Sequence, residues 1–299
     1  MLLFITGSKD GTADLLFEKI NKSAFRLNYD IFDEYQIIIE NDYWKIINPT
    51  GLEITSETAK SCFWWKAFNF DILSIESEYI HEEIKYIFRE IYSYFLINKS
   101  IKGTPPDFHK KFGKLSILKI AKEFFNIPKT TVGWGKLLKN STLNDTPTVA
   151  KSLTSGLINT EKVLFTTEVS INTLNLTYPW YLQEKIEASD DITTFICGEN
   201  IFTFSRDRSE LEGLDWRNQQ DFFDIDHKWK PYKLTEHEIN SVKKFCKKLN
   251  IEWGRIDFLK ENSELIFLEY NANGQFMFLD TKNEYGLLDA TVSYLTKGY

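Results

Sequence analysis

Residues 251–279, IEWGRIDFLKENSELIFLEYNANGQFMFL, decide the fold near the C-terminal end of the chain. Two runs rich in β-branched and aromatic residues, 251–259 and 264–270, flank the polar segment KENS, so the sequence predicts two strands joined by a turn. Each strand carries one acid among apolar neighbours, Asp257 in the first and Glu269 in the second. A buried carboxylate costs free energy unless it is paired or bound to a metal, so both acids are candidate functional residues.

A third polar residue completes this group of oxygen ligands. Asn271 follows Glu269 by two positions, so both side chains point to the same side of an extended strand. The hairpin can bring Asp257 across to that side. Two carboxylates and an amide oxygen suit Mg²⁺, which in nucleotide enzymes is held by one or two carboxylates and phosphate oxygens. The sequence therefore predicts a magnesium site at Asp257, Glu269 and Asn271; a surface hairpin with ordinary solvated charges is the alternative.

The composition indicates a globular protein with a sizeable core. Hydrophobic residues make up 42% of the 299 residues, including 24 Phe, 14 Tyr and 8 Trp. The net charge of −7 argues against general affinity for nucleic acid or an anionic membrane, and no segment approaches the roughly 18 apolar residues of a membrane span. The chain has 3 cysteines without metal-ligand spacing and no recognisable signal peptide, so free thiols and a cytoplasmic location are expected.

The first hundred residues show the alternation of an α/β domain. A buried strand over 2–6, a helix capped by Thr12 and running to about residue 21, and a strand over 25–28 predict a βαβ unit. A helix over 79–97 follows from apolar residues at helical spacing. The segment 98–109, with one Gly and two adjacent Pro, is the best linker candidate.

Two lysines and a Gln-Glu pair lie where a nucleotide site would need them. Lys114 leads a helix, and Lys151 ends a short strand that runs into a Ser/Thr/Gly loop. Gln183 and Glu184 close another strand. Each feature alone is weak, since a lysine beside a small-residue loop is more often a solvated surface group. Together with the acids they fit ATP: cations on the phosphates, a strand backbone on the base, and carboxylates on Mg²⁺.

The order of these motifs resembles a known family. The sequence contains GK-x-x-x-L-x-I-A, then IPKT, VAK, YLQEKI, DWR and GRIDF…FLEYNANGQF. This order is similar to that of the ATP-grasp ligases, and within them to the branch of ribosomal peptide macrocyclases that includes the microviridin ligases. The resemblance spans most of the chain and is strongest at 253–279.

The resemblance implies a role for eight residues. They are Lys114 and Lys151 at the ATP phosphates, Gln183 and Glu184 at the adenine-binding hinge, Asp257, Glu269 and Asn271 as Mg²⁺ ligands, and Arg217 near the active centre, with Arg217 and Lys151 as the catalytic residues.

It also implies the architecture, the reaction and the partners. The fold would be an α/β N-terminal domain over residues 1–100, then two α+β lobes over 110–180 and 181–299 that grip ATP. The reaction would activate a side-chain carboxylate as an acyl phosphate and join it to a hydroxyl or amine, closing an ester or amide ring in a precursor peptide with leader and core. ATP and Mg²⁺ would be required. A homodimer is expected from the resemblance alone.

The sequence departs from the family pattern at several positions. Thr193 stands where the family usually has an arginine after Asp191, and Arg206, Arg208 or Arg217 could replace it in space. Gly113 stands where Asn or Asp usually precedes the first lysine, and Lys66 where the branch more often shows arginine pairs. Two other functions therefore stay open: a ligase of free amino acids or other small carboxylates, and a non-catalytic protein that binds nucleotide or peptide.

Overall fold

The computed structural model describes residues 1–21, 24–66, 78–105, 108–154, 157–159, 162–163, 165–209, 211, 213–214 and 228–298. The Asp215-Trp216-Arg217 step, and with it the predicted catalytic Arg217, lies outside these residues. The described helices are α1 (Gly11–Ile20), α2 (Glu78–Ile97), α3 (Phe108–Lys111), α4 (Lys114–Ala121), α5 (Glu236–Leu249) and α6 (Leu287–Thr296). Strands of the first half are β1 (Leu2–Thr6), β2 (Ala24–Asn28), β3 (Gln36–Ile39), β4 (Trp44–Ile47), β5 (Glu53–Thr55), β6 (Ser61–Trp64), β7 (Ile101–Lys102), β8 (Thr130–Gly133) and β9 (Thr148–Lys151). Strands of the second half are β10 (Leu157–Asn159), β11 (Lys162–Val163), β12 (Thr167–Val169), β13 (Trp180–Glu184), β14 (Asp190–Cys197), β15 (Asn200–Asp207), β16 (Lys230–Pro231), β17 (Trp253–Glu261) and β18 (Glu264–Asn271).

A parallel sheet in the order β2-β1-β6-β7 forms the N-terminal region, and α1 connects β1 to β2. The predicted βαβ unit is therefore confirmed. All residues of β1 are buried, because α1 and α6 cover one face of the sheet while α2 and the antiparallel sheet β3-β4-β5 cover the other. The predicted cap was wrong by two positions: Asp10 caps α1, its Oδ1 accepting from the Ala13 N–H at 3.0 Å.

The central region is an antiparallel sheet in the order β12-β9-β13-β8. It has a small core of its own, formed by four buried residues: Leu138, Leu143, Ile171 and Leu182. Strands β9 and β13 are neighbours, and their register pairs Lys151 with Tyr181. Residue 151 therefore lies beside the strand that carries Gln183 and Glu184.

The C-terminal region is an antiparallel sheet in the order β16-β15-β14-β17-β18. One side, here called the helix face, packs against α4 and α5 and presents Ile192, Ile196, Ile256, Phe258, Phe267 and Tyr270. The other side, here called the cleft face, presents Asp191, Thr193, Arg206, Asp257 and Glu269, which the strand register places side by side. A capping box at Thr235 begins α5, as the sequence predicted.

The N-terminal and C-terminal regions share a hydrophobic core. Residues of β1, β6 and α1 pack with Trp253 of β17, Phe195 of β14 and the side chains of α6. Stacked and edge-to-face rings join the two parts, including Trp65 against Trp253 at 5.9 Å between ring centroids. This shared core fixes the N-terminal sheet against the cleft face. The domain boundaries at 1–100, 110–180 and 181–299 stay a prediction.

Within the described ranges, no helix combines the length and the hydrophobicity that a bilayer crossing requires.

Candidate functional site

The hairpin β17–β18 places the two acids directly opposite each other. Asp257 pairs with Glu269, but the next pair is Phe258 with Phe267, so Leu268 is an extra residue that forms a β-bulge. The turn residues Asn262 and Ser263 have φ of 48° and 69°, the left-handed conformation that a tight hairpin turn requires. The predicted hairpin and the predicted meeting of its acids are confirmed.

Asp257 is held by donors on three strands. Arg255 forms a bidentate ion pair with it, Nε to Oδ1 and Nη2 to Oδ2, both at 3.0 Å. The Thr193 hydroxyl donates to Oδ1 at 2.5 Å, and the Asn271 amide donates to Oδ2 at 2.6 Å. These four hydrogen bonds fix the carboxylate on the cleft face.

The negative charge of Glu269 is stabilised mainly by cations on the opposite side of the cleft. It accepts one hydrogen bond from the Asn271 amide at 3.2 Å. Burial acts to raise the pKa of Glu269, but the positive charges of Lys151 and Lys114, with help from that amide and from Arg255, hold the pKa below its usual value. Both lysines that the sequence singled out are therefore close enough to Glu269 to act on its charge.

Lys114 lies at the start of α4 and points to the loop after β9. Its ammonium donates to the Ser152 carbonyl at 2.8 Å and lies 5.7 Å from the centre of the Tyr181 ring. Lys151 and Tyr181 are register partners on β9 and β13, so these groups surround one end of the cleft. The structure thus brings Lys114, Lys151 and Glu269 together from three separate parts of the chain.

The residues predicted at the adenine hinge end β13 but differ in their surroundings. Gln183 is buried, with its Nε2 donating to the Thr130 hydroxyl at 3.1 Å and its Oε1 without a hydrogen-bond partner. The carboxylate of Glu184 accepts from the N–H of Lys129, the residue before β8, at 3.3 Å. A buried acceptor without a donor is costly, so the Gln183 oxygen is a place where a bound group with an N–H would fit.

The predicted magnesium ligands have suitable chemistry. Asp257, Glu269 and Asn271 supply hard oxygen donors on one side of the hairpin. The Asn271 amide nitrogen faces both acids, and a half-turn of the amide would present its oxygen instead. Among the described residues, no group of three or more His, Cys, Asp or Glu side chains is arranged to hold a metal. The residues fit a Mg²⁺ ion that takes its remaining ligands from phosphate oxygens and water.

Asp191, on the same face as Thr193, belongs to an arginine cluster. Its Oδ1 accepts from Arg208 Nη1 at 2.6 Å, while its Oδ2 is buried without a partner. Arg206 is its register partner on β15 and is also buried. Burial raises the pKa of Asp191 to about 6, although the charges of Arg208 and Arg206 oppose the shift. Of the three candidates to replace the absent arginine, Arg206 and Arg208 therefore lie beside Asp191, and Arg217 lies outside the described residues.

Sequence reasoning missed two functional candidates. Arg255 stands two positions before Asp257 on the same strand, and this spacing predicts a shared face, so the signal was present. His109, whose Nε2 accepts from the Ala272 N–H at 3.5 Å, gave no such signal. Burial lowers the pKa of His109, although Glu269 acts in the opposite direction, which favours the neutral imidazole that this hydrogen bond needs.

Two glycines allow close packing, Gly254 against Tyr270 on the helix face and Gly274 against Arg255 on the cleft face. Gly254 has a φ of 136°, and a Cβ there would lie 2.5 Å from the Tyr270 ring. At Gly274 a Cβ would lie 3.0 Å from the Asn271 Cβ and 3.1 Å from the Arg255 Cβ. A side chain at position 274 would therefore crowd Asn271 and Arg255, which would have to shift by a few tenths of an ångström.

Comparisons with known proteins give the fold. No protein-family model and no curated protein sequence matches the chain. A RiPP-associated ATP-grasp ligase of Chryseobacterium gregarium, solved with ADP and a leader and core peptide, is 21% identical, with a TM-score of 0.81 over 98% of this chain and 96% of that one. The macrocyclase MdnC of Microcystis aeruginosa MRC, bound with the precursor peptide MdnA, is 22% identical, with a TM-score of 0.80 over 99% of both chains.

A more distant likeness extends the same conclusion. D-alanine–D-alanine ligase of Bacillus anthracis, complexed with ATP, is 11% identical, with a TM-score of 0.53 over 99% of this chain and 96% of that one. The chain has the ATP-grasp fold: the predicted α/β N-terminal part followed by α+β regions is confirmed.

Proposed function

We propose that this chain is an ATP-dependent carboxylate ligase that closes ester or amide rings in a ribosomal precursor peptide. One observation carries the proposal: Lys114 and Lys151 act from one side of the cleft on Glu269, which pairs with Asp257 on the other. Two cations opposite two acids suit a bound nucleoside triphosphate with its metal: the cations neutralise phosphate oxygens and the acids bind the metal. Phosphoryl transfer depends mainly on such positioning and charge neutralisation.

The peptide substrate is supported by the relatives. The Chryseobacterium ligase was solved with a leader and core peptide, and MdnC with its precursor peptide. Both match this chain over at least 96% of their length, so the likeness includes the regions around the cleft. We extend the substrate class of these proteins, a peptide with leader and core, to this chain.

The reaction has two steps. A carboxylate oxygen of the peptide bonds to the γ-phosphorus of ATP, the bond from that phosphorus to the bridging oxygen breaks, and ADP leaves with the electron pair. A hydroxyl or amine then attacks the carbonyl carbon of the acyl phosphate and loses its proton, and inorganic phosphate leaves. The product is an ester or an amide within the same peptide.

The residues of the chain hold and neutralise the reacting groups. Lys114 and Lys151 bind phosphate oxygens. The side-chain oxygen of Gln183 accepts a hydrogen bond from the base. Asp257, Glu269 and Asn271 would hold Mg²⁺, with Asp257 exchanging part of its present hydrogen bonding. When bound, Mg²⁺ supplies positive charge to the phosphate oxygens. The catalytic role of Arg217 stays a prediction from the sequence. A homodimer and a cytoplasmic location also stay predictions.

Intact mass of a co-expressed peptide tests the proposal. The protein is expressed with a short open reading frame encoded beside its gene, and in parallel as Glu269→Gln. The wild type should remove one water for each bond formed. The variant should remove none, because a neutral amide is a poor Mg²⁺ ligand. Glu264→Gln, at the other end of β18 and bonded to Asn126, is the matched control and should act like the wild type.

Each contrary outcome has a defined meaning. Ring formation by Glu269→Gln would contradict the assignment of the acid pair. A peptide unchanged by the wild type, together with ADP release on adding free amino acids, would favour a small-molecule ligase. Mg²⁺-dependent ATP binding without turnover on either substrate would favour a non-catalytic binding protein.

A further inference from the structure

An open pocket lies on the helix face of the C-terminal sheet, on the opposite side of the strands from Asp257 and Glu269. It has a volume of about 340 Å³ and is lined by the end of β14, the turn to β15, one side of α5 and the residues just before β17. Pockets that bind small molecules begin at about 300 Å³. The residues proposed above for ATP and Mg²⁺ do not line it, so this pocket is separate from the cleft.

The floor of the pocket is apolar. Ile196 and Ile201 are register partners on β14 and β15 and lie side by side in it, and Cys246 and Ile251 continue the same surface. Ile196, Cys246 and Ile251 are buried, and Ile201 is half-buried. Burial raises the pKa of the Cys246 thiol to about 12, so the thiol stays protonated and acts as a small apolar group. This floor suits the apolar body of a ligand.

Backbone hydrogen bonds fix the walls around this floor. The Gly198 N–H donates to the Glu252 carbonyl at 2.7 Å, which joins the β14–β15 turn to the residues before β17. The Ile251 N–H donates to the Cys246 carbonyl at 3.0 Å, which joins those residues to α5. Gly198 has a φ of 60°, and a Cβ there would lie 3.0 Å from the Tyr294 ring. The pocket is therefore preformed, which lowers the entropy cost of binding.

The rim of the pocket carries charges of both signs. Lys243 and Lys247 lie one turn apart on α5, whereas Glu199 lies in the β14–β15 turn and Glu252 just before β17. All four are exposed, and within the described part of the chain none of them forms an ion pair. Opposite charges thus line one pocket without meeting across it. A simple anion or cation would meet a like charge there, whereas a ligand with both charges satisfies both sides.

We propose that this pocket binds a free α-amino acid with an apolar side chain. The carboxylate of the ligand faces the two lysines of α5, its ammonium faces the two glutamates, and its side chain lies on the isoleucine pair of the floor. The site is additional to the nucleotide cleft, and its occupancy does not depend on the proposed ligase reaction.

Three related ligands test the charge requirement. L-leucine, N-acetyl-L-leucine without the ammonium and L-leucinamide without the carboxylate are titrated separately into the full chain, and saturation-transfer NMR of the ligand methyl groups gives each dissociation constant. L-leucine should bind most tightly. Each analogue should bind about fivefold more weakly, the loss expected for one exposed ion pair.

Variants assign each charge of the ligand to one wall. Lys243→Met combined with Lys247→Met should weaken L-leucine and N-acetyl-L-leucine about fivefold and leave L-leucinamide unchanged. Glu199→Gln should weaken L-leucine and L-leucinamide about threefold and leave N-acetyl-L-leucine unchanged, the effect being smaller because the second glutamate remains. Lys244→Met combined with Lys248→Met removes two exposed lysines of the same helix outside the pocket and is the matched control. All three ligands should bind this control as they bind the wild type.

Several outcomes would overturn the proposal. Equal binding of the three ligands would show that the paired charges are not read, and an absence of L-leucine binding to the wild type would remove the site. Competitive displacement of L-leucine by Mg²⁺-ADP would place the ligand in the cleft instead. Because the titrations need neither ATP nor a peptide, failure of ring formation in co-expression would contradict the proposed function and leave this result unaffected.

Discussion

The helix face and the cleft face of the C-terminal sheet come from the same strands but serve opposite purposes. On the helix face, Phe258 and Phe267 are buried against α5, whose Phe245 lies 5.3 Å from Phe267 between ring centroids. On the cleft face of the same hairpin, Asp257 and Glu269 face Lys114 and Lys151. Because side chains alternate along a strand, one hairpin supports a dry core and a charged cleft together.

The bulge at Leu268 makes this division possible. In a regular strand Phe267 would point to the same side as Glu269, two positions later. The extra residue shifts the register, so that Phe267 pairs with Phe258 and joins the core while Glu269 pairs with Asp257. At this point of the hairpin the aromatic pair therefore joins the core on one face and the acids lie on the other, and substitutions can test that separation.

The largest expected effect comes from the helix face. Phe267→Ala removes a fully buried ring that contacts Phe125, Phe245 and Phe258, and should lower the free energy of unfolding by about 3–5 kcal/mol. Urea denaturation measures the loss. The affinity of the remaining folded protein for Mg²⁺-ATP should be unchanged, and Phe267→Leu should lose much less stability. Weakened nucleotide binding by folded Phe267→Leu would show that the two faces are coupled.

The cleft face should contribute a pH dependence of stability through Asp191. Because the pKa of this group is raised to about 6 in the folded state, the folded protein binds its proton more tightly than the unfolded chain does. Stability should therefore fall as the pH rises from about 4 to about 6, by at most about 3 kcal/mol, and Asp191→Asn should remove this part of the slope.

Urea denaturation across this pH range, with wild type and variant compared, isolates the Asp191 contribution. Identical slopes for wild type and Asp191→Asn would contradict the raised pKa of Asp191.

Removing a cation opposite the cleft face should reduce activity with little change in stability. Lys114→Met should lower ATP turnover about 100-fold, or about 2.7 kcal/mol in activation free energy, because a positioned charge on the transferring phosphoryl group is lost. The ADP formed with the co-expressed peptide measures the effect. Lys119→Met changes an exposed lysine on the same helix and should leave ATP turnover unchanged. A comparable loss in Lys119→Met would point to helix damage instead.

The smallest effect is expected at Thr193. Thr193→Val removes the hydroxyl that donates to Asp257, while Arg255 and Asn271 still hold the carboxylate. We therefore expect a loss of about 1 kcal/mol in the free energy of Mg²⁺ binding. The concentration of Mg²⁺ that half-saturates turnover should rise up to about fivefold. Thr194→Val removes a buried hydroxyl bonded to Thr203 and is the control. The Mg²⁺ dependence of Thr194→Val should match that of the wild type. An equal rise in its half-saturating Mg²⁺ concentration would contradict a specific effect of the hydrogen bond from Thr193 to Asp257.

Much of the fold could be predicted because its signals are local. The apolar run LLFIT, the capping box at Thr235 and the turn after β17 each depend on neighbouring residues, and each lies where the sequence indicated. The helix start at Asp10 was missed because Thr12, two positions later, is also a residue type found at N-caps, although Asp ranks above Thr there.

Local sequence specifies which groups are available and how they are spaced along single strands: two acids and an amide on one hairpin, with Arg255 two positions before Asp257. Tertiary structure alone decided which groups meet. Lys114, Lys151 and Glu269 come from three separate sheets or helices, and Thr193 reaches Asp257 only through the pairing of β14 with β17. The two levels differ because hydrophobic periodicity and helix capping depend on residues a few positions apart in the sequence. Charge interactions and hydrogen bonds across the cleft depend instead on packing between distant segments.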